Sequence, residues 1–480
     1  MTDITFCTAG SNLGDPTRAA RASAREIRSS LLRELEGRPG EAPAPALAAS
    51  RSFLHERLAA ATLLPTDLPT DIRDLLAWSE SCERRTGAAY HEYLAGRRRG
   101  EPRRYFSNRA HALYLLKAVA PTKLVDGAWL YGLLRHWRDP RLAPLIRTYL
   151  EELGDGRPEQ NHVVIYRKLL EEHGCEGWER LPDAFFTQGA IQLAFAHLAA
   201  EFGPELIGFN LGYEQLPLHL LITSHELEEI GIDPTYFRLH VTVDNASTGH
   251  ARKAVEGLQA MLPRLGDAAA FYRRVITGYK LNLLGIGTVD AIEGFDLEDE
   301  LIDVLERKAV IGAPLHGSAC KVSGRSVGEW LGERGRIRAF LAELEKIGWV
   351  RRHQDPADSR FWQLIEGDRA PMFGAFSHYE RQLVHDWIAG RLAEGAAKPK
   401  RRSLPALRAA RAVDLDAAHS PEAAGDFGED ARILRRRLAE RGDADAGMRL
   451  LASMMSPAGH HTPTGLLATR LYAERFDRPS

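Results

Sequence analysis

Between Ala110 and about Gly285, apolar residues return at every third or fourth position, as in AHALYLLKAVA, LIRTYLEEL, VVIYRKLLEEH, AIQLAFAHLAAEF and LPLHLLITSHELEEI. A period near 3.6 gathers those side chains on one face of a helix, and successive helices of this kind bury their faces only against one another. An all-α bundle is therefore expected here. Its breaks fall where helix-stopping residues cluster: Gly154-Asp155-Gly156-Arg157-Pro158, Gly174 to Gly177, Gly203-Pro204 and Gly231-Ile232-Asp233-Pro234. No internal repeat is visible.

The 480 residues carry 63 Lys and Arg against 65 Asp and Glu, a net charge of −2, so no global excess of positive charge is present to bind a polyanion. At 44% hydrophobic and 27% charged residues the balance is that of a soluble globular protein. Apolar runs such as Leu216 to Thr223 fall far short of the roughly 20 residues that cross a bilayer. The opening MTDITFCTAGSNLGDP lacks a basic segment followed by an apolar one, so neither secretion nor membrane insertion is expected. Cys7, Cys82, Cys175 and Cys320 are scattered without a CxxC, which indicates neither a disulfide framework nor a zinc knuckle and fits a cytoplasmic protein.

Five regions follow from these changes of texture. Residues 1–104, rich in Ala and Arg, read as a helical N-terminal extension, and 105–290 as the bundle. Residues 295–390 have the outline of a winged-helix-like α+β module: helical segments at Glu298–Ala309 and Ser326–Ile347 lead into WVRRHQDPADSRFWQLI, two short runs flanking a turn. Residues 391–430, with Lys398, Lys400, Arg401 and Arg402, read as a basic linker, and 431–480 as a C-terminal helical tail beginning with a helix over Ala431–Met455. Within Ser326–Ile347, Arg334, Arg336, Arg338 and Lys346 are offset by Glu329, Glu333, Glu343 and Glu345, which argues against DNA binding.

Three places in the bundle could carry chemistry. In GIDPTYFRLHVTVDNASTGHARKAVEGL, read as one long helix, His240 and Asp244 stand at i and i+4, about 40° and 6 Å apart, and can point at one metal ion. The i+7 position is Ser247; His250 reaches the same site only if the helix is distorted between Asn245 and Gly249. Glu152 and His162 stand ten residues apart across the Gly-Asp-Gly-Arg-Pro break, so a tight connection would place one at a helix end and the other in the next helix's first turn. Glu151 and Glu152 at a helix C-terminus oppose the macrodipole by about 0.3–1 kcal/mol each, so something other than helix stability is expected to hold them there. Asp126 lies 26 residues before Glu152 and reads equally as an N-cap. Glu159 and His162 spell ExxH, but no second copy is found, which argues against a ferritin-like bundle. Each residue also has a plain alternative, since a buried His–Asp pair explains His240 and Asp244 as well as a metal does.

At these residues the chain resembles the haem-oxygenase-like di-iron oxidase family, or iron-containing redox enzymes, over roughly 105–285. The resemblance implies a haem-oxygenase-like fold and metal ligation by Asp126, Glu152, His162, His240, Asp244 and His250. It implies two Fe(II) per chain, with O2 as co-substrate. Two positions depart from the family's pattern: Asp126 replaces a Glu, and the last His stands at 250 rather than 247, which implies a second iron less completely held. Mixed imidazole and carboxylate ligands suit iron that must bind O2, and a bundle interior excludes water. The resemblance implies oxidation of a small amine, amino-acid-derived or carboxylate substrate in a biosynthetic setting. No GxGxxG between a strand and a helix offers a flavin or nicotinamide site, so an external electron donor is implied.

Tyr213, Glu214 and Gln215 fall between the two ligand clusters, and Tyr213 and Glu214 are candidate substrate-pocket residues. His316 and the pair His460-His461 lie in segments of unusual texture and could bind something or serve as loop residues. Cys175, next to Gly174, is a poor nucleophile for thiaminase-like chemistry. Two rival readings remain: a winged-helix regulator whose bundle senses a ligand, and a metal-free haem-oxygenase-like hydrolase. The expected partner is a small molecule, with no nucleic acid or membrane; a homodimer is compatible with the sequence.

Overall fold

The computed structural model describes residues 22–37, 44–243, 246, 249–317, 319–367, 369–391, 428–441 and 443–477. Three helices, α1 (Ala24–Gly37), α2 (Ala44–Thr62) and α3 (Leu75–Arg98), precede the bundle. The bundle follows as α4 (Arg109–Lys123), α5 (Ala143–Glu152), α6 (His162–His173), α7 (Thr187–Leu198), α8 (Gly203–Tyr213), α9 (Leu218–Ile230), α10 (Thr235–Val243), α11 (His250–Met261) and α12 (Ala268–Lys280). Asn108 and Asn161 cap α4 and α6 by accepting from the backbone N–H of His111 and Val164, and α6 and α9 end at Gly174 and Gly231 in left-handed conformation. The all-α expectation holds for this region.

The tightest helix crossing is between α8 and α12. A Cβ on Gly208 would lie 1.9 Å from the Val275 carbonyl oxygen, and one on Gly278 would lie 1.9 Å from that of Glu205. Only glycine lets these two backbones meet. Around them Trp129, Tyr149, Phe195 and Phe209 are fully buried in one apolar core.

Beyond the bundle come α13 (Thr288–Glu293), α14 (Leu297–Gly312), the two-residue strands β1 (Lys321–Val322) and β2 (Arg325–Ser326), α15 (Val327–Gly332), α16 (Ile337–Lys346), α17 (Arg360–Ile365) and α18 (His378–Ala389). The expected hairpin over WVRRHQDPADSRFWQLI does not form. Its second run folds as α17, where Phe361 and Ile365, four apart, share a buried helical face, and the antiparallel pair lies instead at Lys321–Ser326. The single helix expected over Ser326–Ile347 is two, α15 and α16. Their basic residues are neutralised locally, Arg336 by Glu333, Lys346 by Glu343, and Arg338 by Glu298 and Asp299. This region shares an apolar core with α4, α6, α9 and α10, and the Asp386 carboxylate accepts from the Ala110 N–H at 2.7 Å.

The tail folds as α19 (Gly428–Ala439), α20 (Ala444–Met454) and α21 (Pro463–Asp477). The helix expected over Ala431–Met455 is therefore broken near Asp443, whose carboxylate accepts from the backbone of Asp445 and Ala446 and starts α20. Tyr472 Oη donates to the Leu134 carbonyl at 2.8 Å and Tyr149 Oη to that of Met455 at 2.6 Å, which ties the tail into the bundle core. Lys398, Lys400, Arg401 and Arg402 lie outside the described residues, as does Cys7. No described helix is long and apolar enough to cross a membrane.

Candidate metal centre

Four elements converge on one buried polar site. Glu152 is the last residue of α5 and His162 the first of α6, as the break between them requires. His240 lies on α10. Asp126 sits in the turn after α4, beside Gly127, whose φ of +79° and missing side chain admit Glu152: a Cβ there would lie 3.0 Å from the Glu152 Cβ. Asp126 is not an N-cap, because its carboxylate makes no capping bond and points inward. Asp126, Glu152, His162 and His240 each offer a ligand atom within 4.8 Å of the others, as do Glu152, Glu214 and His250. Glu152 belongs to both groups.

Asp126 is held from several sides. Its Oδ1 accepts from Tyr213 Oη at 2.8 Å and its Oδ2 from Tyr236 Oη at 2.6 Å, while Lys123 Nζ stands 3.5 Å from Oδ2. Lys123 also donates to Tyr213 Oη at 3.1 Å. Burial opposes ionisation of Asp126, but Lys123 and His240 outweigh it and hold the carboxyl well below its ordinary range. Burial likewise opposes ionisation of Glu152, and His162 and His250 outweigh it. The Tyr213 and Tyr236 phenols are pushed up, first by burial and then by Asp126, so both stay protonated donors.

The imidazoles and carboxylates face one another at distances a metal ion could bridge. His240 Nδ1 lies 3.0 Å from the Tyr236 carbonyl oxygen, which makes Nδ1 the donor and leaves, in the neutral ring, a lone pair on Nε2, 3.1 Å from Asp126 Oδ2. Two acceptors facing each other at that distance need either a proton on the imidazole or a metal ion between them. His162 Nδ1 and Glu152 Oε2 stand 2.6 Å apart, yet neither has a partner in hydrogen-bond geometry among the described residues. Every residue of the two groups is at most 6% exposed. Buried, mutually facing carboxylates and imidazoles are what a divalent ion would satisfy.

His250 differs from expectation in its setting. It opens α11 rather than continuing the helix of His240, which ends at Val243. Its Nδ1 lies 3.1 Å from Glu214 Oε2 and 3.3 Å from Glu152 Oε1. Asp244 lies outside the described residues. Tyr213 lies against Asp126, whereas Glu214, expected to line a substrate pocket, stands in the second carboxylate–histidine group. A signal for it was present: Glu214 is the C-cap of α8, one step past the place Glu152 holds on α5, again a carboxylate at the wrong pole of a helix.

Other candidates stand apart. Glu159 is exposed, and His316 follows α14 and joins neither group. His460 is buried beneath α6, where its Nδ1 is 3.1 Å from Nδ2 of Asn161, the residue that caps the helix of His162. Burial pushes the Cys175 thiol up to about 12, which leaves it un-ionised and no nucleophile at neutral pH.

No curated protein and no solved structure matches the chain at a significant level. Residues 113–279, running from within α4 to within α12, match the model of the family described as iron-containing redox enzymes.

Proposed function

We propose that the two groups hold two ferrous ions and that the chain is a non-haem di-iron oxidase or oxygenase. It would use O2 to oxidise a small amine, amino-acid-derived or carboxylate substrate. The observation that carries this reading is Glu152, shared between two ligand sets of buried carboxylates and imidazoles. One set would be Asp126, Glu152, His162 and His240, the other Glu152, Glu214 and His250. Asp244 would join by its spacing from His240 in the sequence. Three carboxylates, or four with Asp244, offset most of the charge of two Fe(II) ions in a dry interior.

Two bound irons would supply O2 activation and one-electron chemistry. The chain's own part is positional. Tyr213, Tyr236 and Lys123 fix the Asp126 carboxylate, the Tyr236 carbonyl fixes the His240 ring, and the bundle keeps water out. Electrons would come from an external donor.

Anaerobic Fe(II) titration of the metal-free protein, followed by Mössbauer spectroscopy and O2-uptake measurement, tests the reading. About two irons per chain and O2-dependent oxidation of the bound iron are expected. His162→Ala and Asp244→Ala should abolish iron loading while leaving the helical circular dichroism unchanged. Absence of stoichiometric iron binding, or normal iron content in both variants, would overturn it.

A further inference from the structure

On another side of α6 a cavity of about 430 Å³ opens between α1, α6, the turn Trp178–Arg180 and the loop before α21. None of its lining residues belongs to the two ligand groups. Arg28 lines it while only 4% exposed. Its Nε donates to the Pro121 carbonyl at 2.8 Å, and its guanidinium lies 4.9 Å from the centre of the Trp178 ring. Neither terminal nitrogen of Arg28 has a hydrogen-bond or carboxylate partner among the described residues. Burial, with Arg167 nearby, brings the guanidinium down only to about 10, the more distant Glu179 partly opposing the fall, so it is charged at neutral pH.

A buried cation with only a distant counter-charge and no direct ion pair is costly unless a ligand supplies one. Arg167 lines the same cavity, and its side chain likewise has no ion pair or hydrogen bond among the described residues. The acids of the lining, Glu171, Glu176 and Glu179, are exposed, and none lies within ion-pair distance of Arg28 or Arg167. His461 is neutral, since burial lowers it to about 4. The charge is thus separated by depth, with Arg28 inside and the glutamates at the mouth.

We propose that this cavity binds a free amino acid as its zwitterion, with the carboxylate on Arg28 and Arg167 and the ammonium toward the glutamates at the mouth. A guanidinium offers two parallel N–H donors that match a carboxylate, and the volume is that of a small-molecule site. A bare anion would satisfy the arginines but meet three glutamates on entry. The cavity lies close to the elements that hold the metal ligands. Arg167 is five residues beyond His162, about 7.5 Å along the axis of α6, and His461 adjoins His460 beneath its cap.

The test uses the full-length, metal-free chain and so stands whether or not iron binds. The common L-amino acids, one at a time, their methyl esters and inorganic phosphate are the probes, read by thermal shift and calorimetry. At least one amino acid should bind saturably, and its methyl ester, which lacks the carboxylate charge, should bind at least roughly tenfold more weakly. Arg167→Ala, at an exposed position, should cause a similar loss with an unchanged fold, and Arg28→Lys, which keeps the charge but not the fork, should do so too. Binding by no amino acid, binding untouched by Arg167→Ala, or phosphate binding as tightly as the best amino acid would overturn the proposal.

Discussion

His250 Nε2 lies 2.8 Å from Glu151 Oε2, on the side of the ring opposite Glu152 and Glu214. Glu151 is itself held by Lys253, 2.5 Å from Oε2, with Arg147 Nε 3.5 Å away. Burial opposes its ionisation, but His250 and Lys253 outweigh that and keep it a carboxylate. A carboxylate behind an imidazole makes Nε2 the donor and turns the Nδ1 lone pair toward Glu152 and Glu214. The paired acids at the end of α5 thus face two sides of one histidine, and this contact offsets the cost of their position against the helix dipole.

Replacing that carboxylate should loosen metal binding without dismantling the site. Glu151→Gln keeps an acceptor but loses the charge, and Glu151→Ala loses both. Affinity for one of two ferrous ions is expected to fall by roughly tenfold to a hundredfold, more in the alanine variant. An Fe(II) or Co(II) titration followed by absorbance measures it, and identical affinities in both variants and the parent would refute a backing role for Glu151.

Glu214 distinguishes the two groups, because it belongs only to the one with His250. Glu214→Ala should therefore lower the metal content from about two ions per chain to about one, whereas Glu152→Ala, at the carboxylate both groups share, should remove both. Elemental analysis after anaerobic loading decides this. Equal loss in the two variants would mean that the groups bind as a single unit.

The bundle was legible because its signal is periodic: the breaks at Gly174 and Gly231 terminate α6 and α9 as their residues dictate. Glu152 and His162 were legible for a related reason, since a short break between two helices leaves few ways to place its flanking side chains. Glu214 was legible only as a carboxylate at a helix C-terminus; its partner was not, because His250 is 36 residues away and spacing along one chain says nothing about which helix ends meet in space. The hairpin expected after Trp349 failed for a third reason. A short apolar run fits a strand or one turn of helix equally well, and packing of Phe361 and Ile365 decided for the helix. Arg28 shows the same limit, as nothing in an Ala- and Arg-rich segment marks the one arginine that the fold buries.

The crossing of α8 and α12 should be intolerant of any side chain at Gly208. Its Cβ would meet the Val275 carbonyl at 1.9 Å, so Gly208→Ala must push the helices apart, at a cost of about 1–3 kcal/mol or more. Glu214, at the C-cap of the same helix, should move with it and loosen the group it forms with Glu152 and His250. Gly203→Ala is the control, since nothing lies within 4 Å of a Cβ there. Urea denaturation should separate the two variants, and equal stabilities would refute the close approach.

Acid sensitivity should arise from histidines away from the metal centre. Burial lowers His173 and His197 from 6.5 to about 4. Both ring nitrogens of His173, and Nε2 of His197, are buried with no hydrogen-bond partner among the described residues. A folded-state value below the unfolded one means that the unfolded chain takes up protons the folded chain refuses between pH 6.5 and about 4. Stability is therefore full above pH 6.5 and falls as pH drops through that window, by up to about 2 kcal/mol for His197 at pH 5 and by less for the more solvated His173. His197→Leu, which removes one of these groups, should flatten the decline in unfolding free energy between neutral pH and pH 5 by about that amount. Parallel pH profiles for parent and variant would show that His197 titrates normally in the folded chain.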